Sequence, residues 1–140
     1  TITLHVSLDT FRPIKVDNIE NHIIYSEKFY LSEEQSKLIN NVKAGGGRII
    51  AVGTSTVRAL ESATKNGEIK PFSGRTDLFI KPNYRFEMVD GIITNFHLPC
   101  STLFIMICAF ANKKVVMNAY NLAIKKKYKF YSFGDAMLIL

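Results

Sequence analysis

Apolar and polar positions alternate through residues 2–8, the period of a half-buried strand. Residues 32–42 switch to a helical period, with Leu38, Ile39 and Val42 predicted on the inward face. Ser32 and Gln35 stand at capping-box spacing. The serine oxygen takes an orphaned first-turn amide and the glutamine reaches back. Gly45, Gly46 and Gly47 stop that helix. Residues 48–52 are mostly β-branched and read as a short buried strand, central in its sheet. Gly53-Thr54-Ser55 turns the chain into a second helix that carries Val57, Leu60 and Thr64 inward and ends at Asn66-Gly67.

Residues 76–80 and 85–89 read as strands, and Asp90-Gly91 as a two-residue hairpin turn into a strand over 92–96. Pro99 and Ser101 open a wholly apolar helix that ends at Ala111 and is expected to be buried on nearly all sides. Residues 114–127 are amphipathic, with Val116, Tyr120, Ala123 and Ile124 inward and lysines outward. Two last extended segments, 129–133 and 136–140, flank Gly134-Asp135. Helix, glycine loop, strand, hydroxyl-rich turn and helix in succession indicate the α/β class, a mixed sheet flanked by helices.

Composition narrows the function classes. The chain has 140 residues, 47% hydrophobic and 21% charged, which excludes a disordered or collagen-like chain. Cys100 and Cys108 share one apolar stretch and are expected to act as small core hydrophobes in a reducing compartment. The run 103–111 is too short for a bilayer, which needs about 20 residues. No charged leader opens the chain, so the expectation is a cytoplasmic protein with no membrane contact. Net charge is +6. Between Gly91 and Gly134 there is no acidic residue, and Lys113, Lys114, Lys125, Lys126, Lys127 and Lys129 carry the whole excess. Such a block is the footprint of a polyanion site, or the solvated face of one helix. Either way the six lysines are expected to project into solvent together.

Four places could carry chemistry. Gly53, Thr54 and Ser55 put backbone N–H groups at a helix N-terminus after a strand, where α/β sheets bind anions, and Arg58 could add a charged fork; capping alone would also explain them. Asn95, Phe96 and His97 lie between two apolar segments, where the histidine could be an acid, a base or a structural donor. Asp77 and Asp135 each stand beside an apolar strand and could hold a ribose hydroxyl, act as a base or tie down a turn. His5 lies in the first strand, and His22 is expected to be exposed. No spacing matches a metal site, and no Walker-type phosphate loop is present.

Four stretches together carry a resemblance: HVSLDTFRP (5–13), IIAVGTSTVRALES (49–62), GRTDLFIKPNYRFEMVDGIITNFHLPCSTLFIMICAFA (74–111) and AYNLAIKKKYKFYSFGDAMLI (119–139). The chain resembles the C-terminal part of the S-adenosylmethionine:tRNA ribosyltransferase-isomerase family of queuosine biosynthesis. The resemblance implies that residues 1–140 are the C-terminal part of the family's larger α/β domain, without its N-terminal part or its inserted β-barrel domain. It also implies a reaction. The ribosyl part of S-adenosylmethionine, a co-substrate, moves onto a 7-aminomethyl-7-deazaguanine base at the tRNA wobble position. Adenine and methionine leave, an epoxyqueuosine forms, and no metal takes part. The family is expected to be monomeric.

That chemistry needs a base beside the sulfonium, aromatic faces, a carboxylate site and phosphate contacts. His5 and His97 are candidates for base or acid, with Phe96 and Tyr84 as aromatic faces. Gly53, Thr54, Ser55 and Arg58, with Asn95, would hold the co-substrate, Asp77 or Asp135 a sugar hydroxyl, and the six lysines the tRNA. Ser7 and Asp9 replace family glycines, Tyr25 a family histidine, and Asn83 and Asn112 two further glycines, the milder exchange because asparagine tolerates positive φ. These departures, and the absent part, lead to the expectation that the chain alone is inactive and that a separate chain supplies the rest. The alternatives are a non-catalytic basic RNA-binding module and a decayed remnant.

Overall fold

The fold is taken from a computed structural model that describes residues 2–6, 13–16 and 18–140. Ser7 and Asp9 lie outside them, as do residues 7 and 8 of the strand expected at 2–8. The part described is β1 (Thr3–His5), which pairs antiparallel with β2 (Glu27–Leu31).

Helix α1 (Glu33–Ala44) starts as expected: Ser32 Oγ accepts from Gln35 N at 3.2 Å, and Ser32 N donates to Gln35 Oε1 at 3.0 Å. Its inward face is different. Ser36 and Ile39 pack inward, whereas Leu38 and Val42 face out. Strand β3 (Ile50–Val52) follows, then α2 (Thr54–Ser62). Val57 and Leu60 are buried, but the helix stops at Ser62. Thr64 instead belongs to β4 (Thr64–Lys65), which Asn66-Gly67 turns into β5 (Glu68–Ile69). Both turn residues have positive φ, so this pair makes a hairpin and not a helix end.

Strand β6 (Phe72–Thr76) completes an antiparallel sheet of order β1-β2-β6. The chain leaves the ladder at Thr76, earlier than the strand expected at 76–80. Residues 85–89 form no strand either. The carboxylate of Glu61, buried on α2, accepts the backbone amides of Glu87 (3.0 Å), Met88 (3.1 Å) and Val89 (2.9 Å). Those amides are spent on a side chain and cannot form a ladder.

Asp90-Gly91 is not a hairpin. Asp90 accepts from Ile49 N at 2.8 Å and pairs with Lys43 at 2.7 Å, fixing the start of β7 (Gly91–Asn95). Strand β7 runs parallel to β3, and β8 (Ala136–Ile139) pairs antiparallel on its other side. The order β3-β7-β8 makes β7 central and β3 an edge, the reverse of the expectation for residues 48–52.

One face of this sheet packs on the core through Ala51 and Ile92. The other is open. Val52, Ile93 and Leu138 form a row across the three strands and are 66%, 37% and 57% exposed. A Cβ on Gly91 would lie 2.7 Å from Ile50 Cδ1 and 2.9 Å from Leu140 Cδ2, so a larger residue here would push these two side-chain ends aside.

Ser101 caps α3 (Thr102–Ala111), accepting from Phe104 N at 3.1 Å. Leu103, Met106 and Ile107 are buried, but Phe104, Ile105 and Cys108 line a groove, so the helix is not enclosed on all sides. Cys108 is half-buried and packs against the core cluster of Phe96 and Ile107, whereas Cys100 is exposed, which corrects the reading of Cys100 as a core residue. α4 (Lys113–Lys125) buries Val116, Tyr120 and Ala123, whereas Ile124 is exposed. Residues 131–133 make a 3₁₀ turn, not a strand. Asn83 and Asn112 have φ of 72° and 70°, the conformation expected where asparagine stands for glycine. Among the described residues no single helix is long and apolar enough to cross a membrane.

Candidate functional site

Strands β3 and β7 are parallel neighbours, so their carboxyl ends lie side by side. That edge is where ligands of open α/β sheets bind. The exit of β3 is Gly53, whose φ of 90° only glycine adopts without strain. Its N–H donates to Ile93 O at 2.8 Å, tying the two exits together. Asn95 is the last residue of β7, and Phe96 and His97 follow.

A cavity of about 390 Å³ opens at this end, lined by Asn95, His97, Leu98, Ser101, Leu103, Tyr131 and Ser132. His97 is fixed from two sides. Its Nε2 lies 2.9 Å from Thr94 Oγ1, and its backbone N–H donates to the Tyr120 hydroxyl at 2.9 Å. Burial pushes its imidazole down to about 4, so it is neutral at neutral pH. Nδ1 has no protein partner among the described residues, and no buried side-chain polar atom there is left unsatisfied. A neutral ring nitrogen is therefore open to the cavity. Burial pushes the Tyr120 hydroxyl up to about 12, so it stays protonated.

Asn95 Nδ2 donates to Asp135 O at 2.9 Å, and Asp135 Oδ2 accepts from Lys129 N. Tyr131 N donates to Phe96 O at 2.9 Å. These bonds pin the 3₁₀ turn against the exit of β7. Tyr131, in the cavity wall, holds φ of 60°, and Cys100, next in sequence to the lining residue Ser101, holds 58°. Such strain persists only where the surroundings impose it, and it clusters at functional sites.

Of the residues singled out in the sequence, Asn95, Phe96, His97 and Asp135 come together here, with Gly53, Thr54 and Ser55 at the neighbouring strand exit. Phe96 faces inward, however: it is 3% exposed and packs against Tyr120, Tyr128 and Phe130. Tyr84 is likewise committed, donating to Glu61 at 3.2 Å, with burial raising its hydroxyl. Neither offers the open aromatic face expected of it.

The expectation for Arg58 is also corrected. It is 1% exposed, because its position on α2 turns it into the protein. Its guanidinium pairs with Glu27 at 2.5 Å and donates to the carbonyls of Leu78, Tyr25 and Thr76. No fork is left for an incoming anion. Ser55 Oγ is bonded to Glu27 at 3.1 Å, and α2 has no side-chain cap. His5 lies apart from the cavity, with Ser55, Glu27 and Thr76 around a shallow indentation. Asp77 is exposed close to Arg58, whose charge it supports. His22 is half-buried and packs edge-on to Phe79.

All six lysines are exposed, but they do not form one patch. Lys113 and Lys114 open α4, while Lys125, Lys126, Lys127 and Lys129 lie at or beyond its end. The helix rises about 16 Å between Lys114 and Lys125, which keeps the two groups apart. Among the described residues no group of three His, Cys, Asp or Glu side chains could hold a metal.

Residues 1–139 match the family described as queuosine biosynthesis protein. The chain belongs to that family. It is 56% identical over 140 residues to the S-adenosylmethionine:tRNA ribosyltransferase-isomerase of Caldanaerobacter subterraneus, covering 99% of this chain and 41% of the relative. The Francisella philomiragia relative of the same name is 51% identical, again over 41% of its length. A crystal structure of the S-adenosylmethionine tRNA ribosyltransferase from Thermotoga maritima matches with 48% identity and a TM-score of 0.76, covering 81% of this chain and 40% of that one. This member of the family thus spans about two-fifths of the relatives' length and shares their fold over that part.

Tyr131 and Ser132 were missed as cavity residues, because a strand over 129–133 would have placed them on a sheet. The one available signal was Gly134, a break two residues later.

Proposed function

We propose that this chain supplies the sheet-end crevice of an S-adenosylmethionine:tRNA ribosyltransferase-isomerase, as the C-terminal part of the α/β domain. The observation that carries this reading is 56% identity along essentially the whole chain to a relative of that name. In this reading the ribosyl group of S-adenosylmethionine is transferred to the 7-aminomethyl-7-deazaguanine base of tRNA and isomerised, with adenine and methionine as products, in the cytoplasm and without a metal.

The chain's own groups suit distinct parts of that task. His97, neutral and with Nδ1 open to the cavity, can accept or relay a proton at the reacting sugar or the departing adenine. Asn95 and Asp135 hold the walls that bracket it. The first amides of α2, after Gly53, would take the methionine carboxylate. His5 and Asp77, away from the cavity, would act only through the part of the site that another segment completes. The lysines at both ends of α4 would meet tRNA phosphates.

The reading also requires a partner. The open row Val52–Ile93–Leu138 and the edges of β3 and β8, which no other strand among the described residues pairs, are surfaces a sheet with parallel strands normally covers. We infer that the remaining three-fifths of the family's polypeptide packs there, as a separate chain if it is not joined to this one.

The test is titration calorimetry of S-adenosylmethionine into this chain mixed with the complementary part of a family protein. Saturable one-site binding, weakened in His97→Gln, supports the reading. Tight tRNA binding with no S-adenosylmethionine binding favours the basic RNA-binding module, which the lysine excess also fits.

A further inference from the structure

The geometry points to residues 125–133 as a stacking platform for an unpaired nucleotide of an RNA loop, set at the rim of the His97 cavity. These nine positions hold four lysines, at 125–127 and 129, together with Tyr128, Tyr131 and Phe133, which are 49%, 40% and 73% exposed. A single exposed aromatic needs no explanation, but three directly beside four cations in one short segment match how single-stranded nucleic acid is held. Bases stack on the rings while ammonium groups neutralise the phosphates.

The platform is built rather than loose. Lys127 and Tyr131 both hold φ of 60°, and Gly134 holds 131°. Tyr131 N is bonded to Phe96 O at 2.9 Å, Lys129 N to the Asp135 carboxylate, and the Tyr128 ring packs edge-on to Phe96 at 5.8 Å. Phe96 itself is buried. The segment is thereby anchored to the core while its rings remain accessible. Tyr131 and Ser132 also line the cavity with His97, so a base stacked here lies beside the proposed reacting group. Lys113 and Lys114, at the far end of α4, are outside the platform.

This inference rests on the reading of the chain as acting on tRNA, and the experiment separates the two. Fluorescence anisotropy would compare an RNA hairpin carrying 2-aminopurine in its unpaired loop with a fully paired duplex of equal charge, across a salt series. The chain should prefer the hairpin and quench the loop fluorophore. Phe133→Ala and Tyr131→Ala should each weaken hairpin binding about 10-fold while leaving duplex binding and the salt slope unchanged. Lys126→Ala with Lys127→Ala should weaken both and flatten the slope. Phe133→Tyr, which keeps the ring, should bind as the parent does.

Equal binding of hairpin and duplex, with aromatic variants unaffected, overturns the platform and leaves RNA binding as electrostatic. Absence of binding to either RNA overturns the tRNA reading and the platform together. If Phe133→Ala instead abolishes assembly with the complementary family polypeptide while hairpin affinity is kept, the rings form a protein interface and the platform is wrong.

Discussion

Arg58 shows how a charged residue on a helix can be read the wrong way round. Its position after a glycine turn suggested an anion site, yet it is buried against Glu27 and three carbonyls. One-dimensional spacing cannot tell whether a first-turn arginine faces the crevice or the core, because its partners lie 18 to 33 residues away. Replacing it by alanine removes the cation facing a carboxylate that is 4% exposed. We expect Arg58→Ala to lose about 3–5 kcal/mol in urea denaturation, and Arg58→Met with Glu27→Gln to lose much less. An Arg58→Ala protein as stable as the parent would show that the pair contributes nothing. His97 gives a prediction in pH. Its folded value of about 4 lies below the ordinary 6.5, so between those values the unfolded chain takes up a proton that the fold refuses. Stability should fall as pH drops through that window, by at most about 1.4 kcal/mol per pH unit and less because the ring borders an open cavity. His97→Gln should flatten the dependence between pH 6.5 and 5. An unchanged slope would mean that the imidazole is solvated.

At the scale of elements, local signals were legible where they act locally. The capping box of α1, the cap at Ser101 and the buried set Val116, Tyr120 and Ala123 of α4 could all be read from a few adjacent residues. Strand pairing could not. The parallel neighbour of β7 lies about 40 residues upstream and its antiparallel neighbour about 40 downstream. Asp90-Gly91, a strong hairpin signal, is overridden because Asp90 is tied to Lys43 and Ile49 across the fold. Helix α3 carries the sharpest test of packing. Ile107 is fully buried, whereas Ile105 borders the groove. Ile107→Lys should therefore unfold the domain, and Ile105→Lys should leave a cooperative transition with a modest loss. Equal damage from both, followed by circular dichroism on heating, would mean that α3 is enclosed all round.

At the scale of the whole molecule, the three-stranded sheet β3-β7-β8 carries a cavity at the carboxyl end of its central strand. Among the described residues one face of this sheet and its two strand edges are open, and the chain matches only 41% of its relatives' length. The cavity at the β7 exit is assembled from residues 95–103 and 131–132, which the sequence places nearly 30 residues apart. The wall around Asn95 and His97 was therefore legible, whereas Tyr131 and Ser132 were hidden by the unforeseen 3₁₀ turn. The central claim is that this chain carries the crevice but needs the remaining part of the family's polypeptide to turn over. The direct measurement is adenine release from S-adenosylmethionine in the presence of tRNA bearing the precursor base. The chain alone should release none. Adding the complementary part of a family protein should restore release, and His97→Gln should depress it at least about 100-fold. Turnover by the chain alone, or full activity of the His97→Gln assembly, would contradict the account.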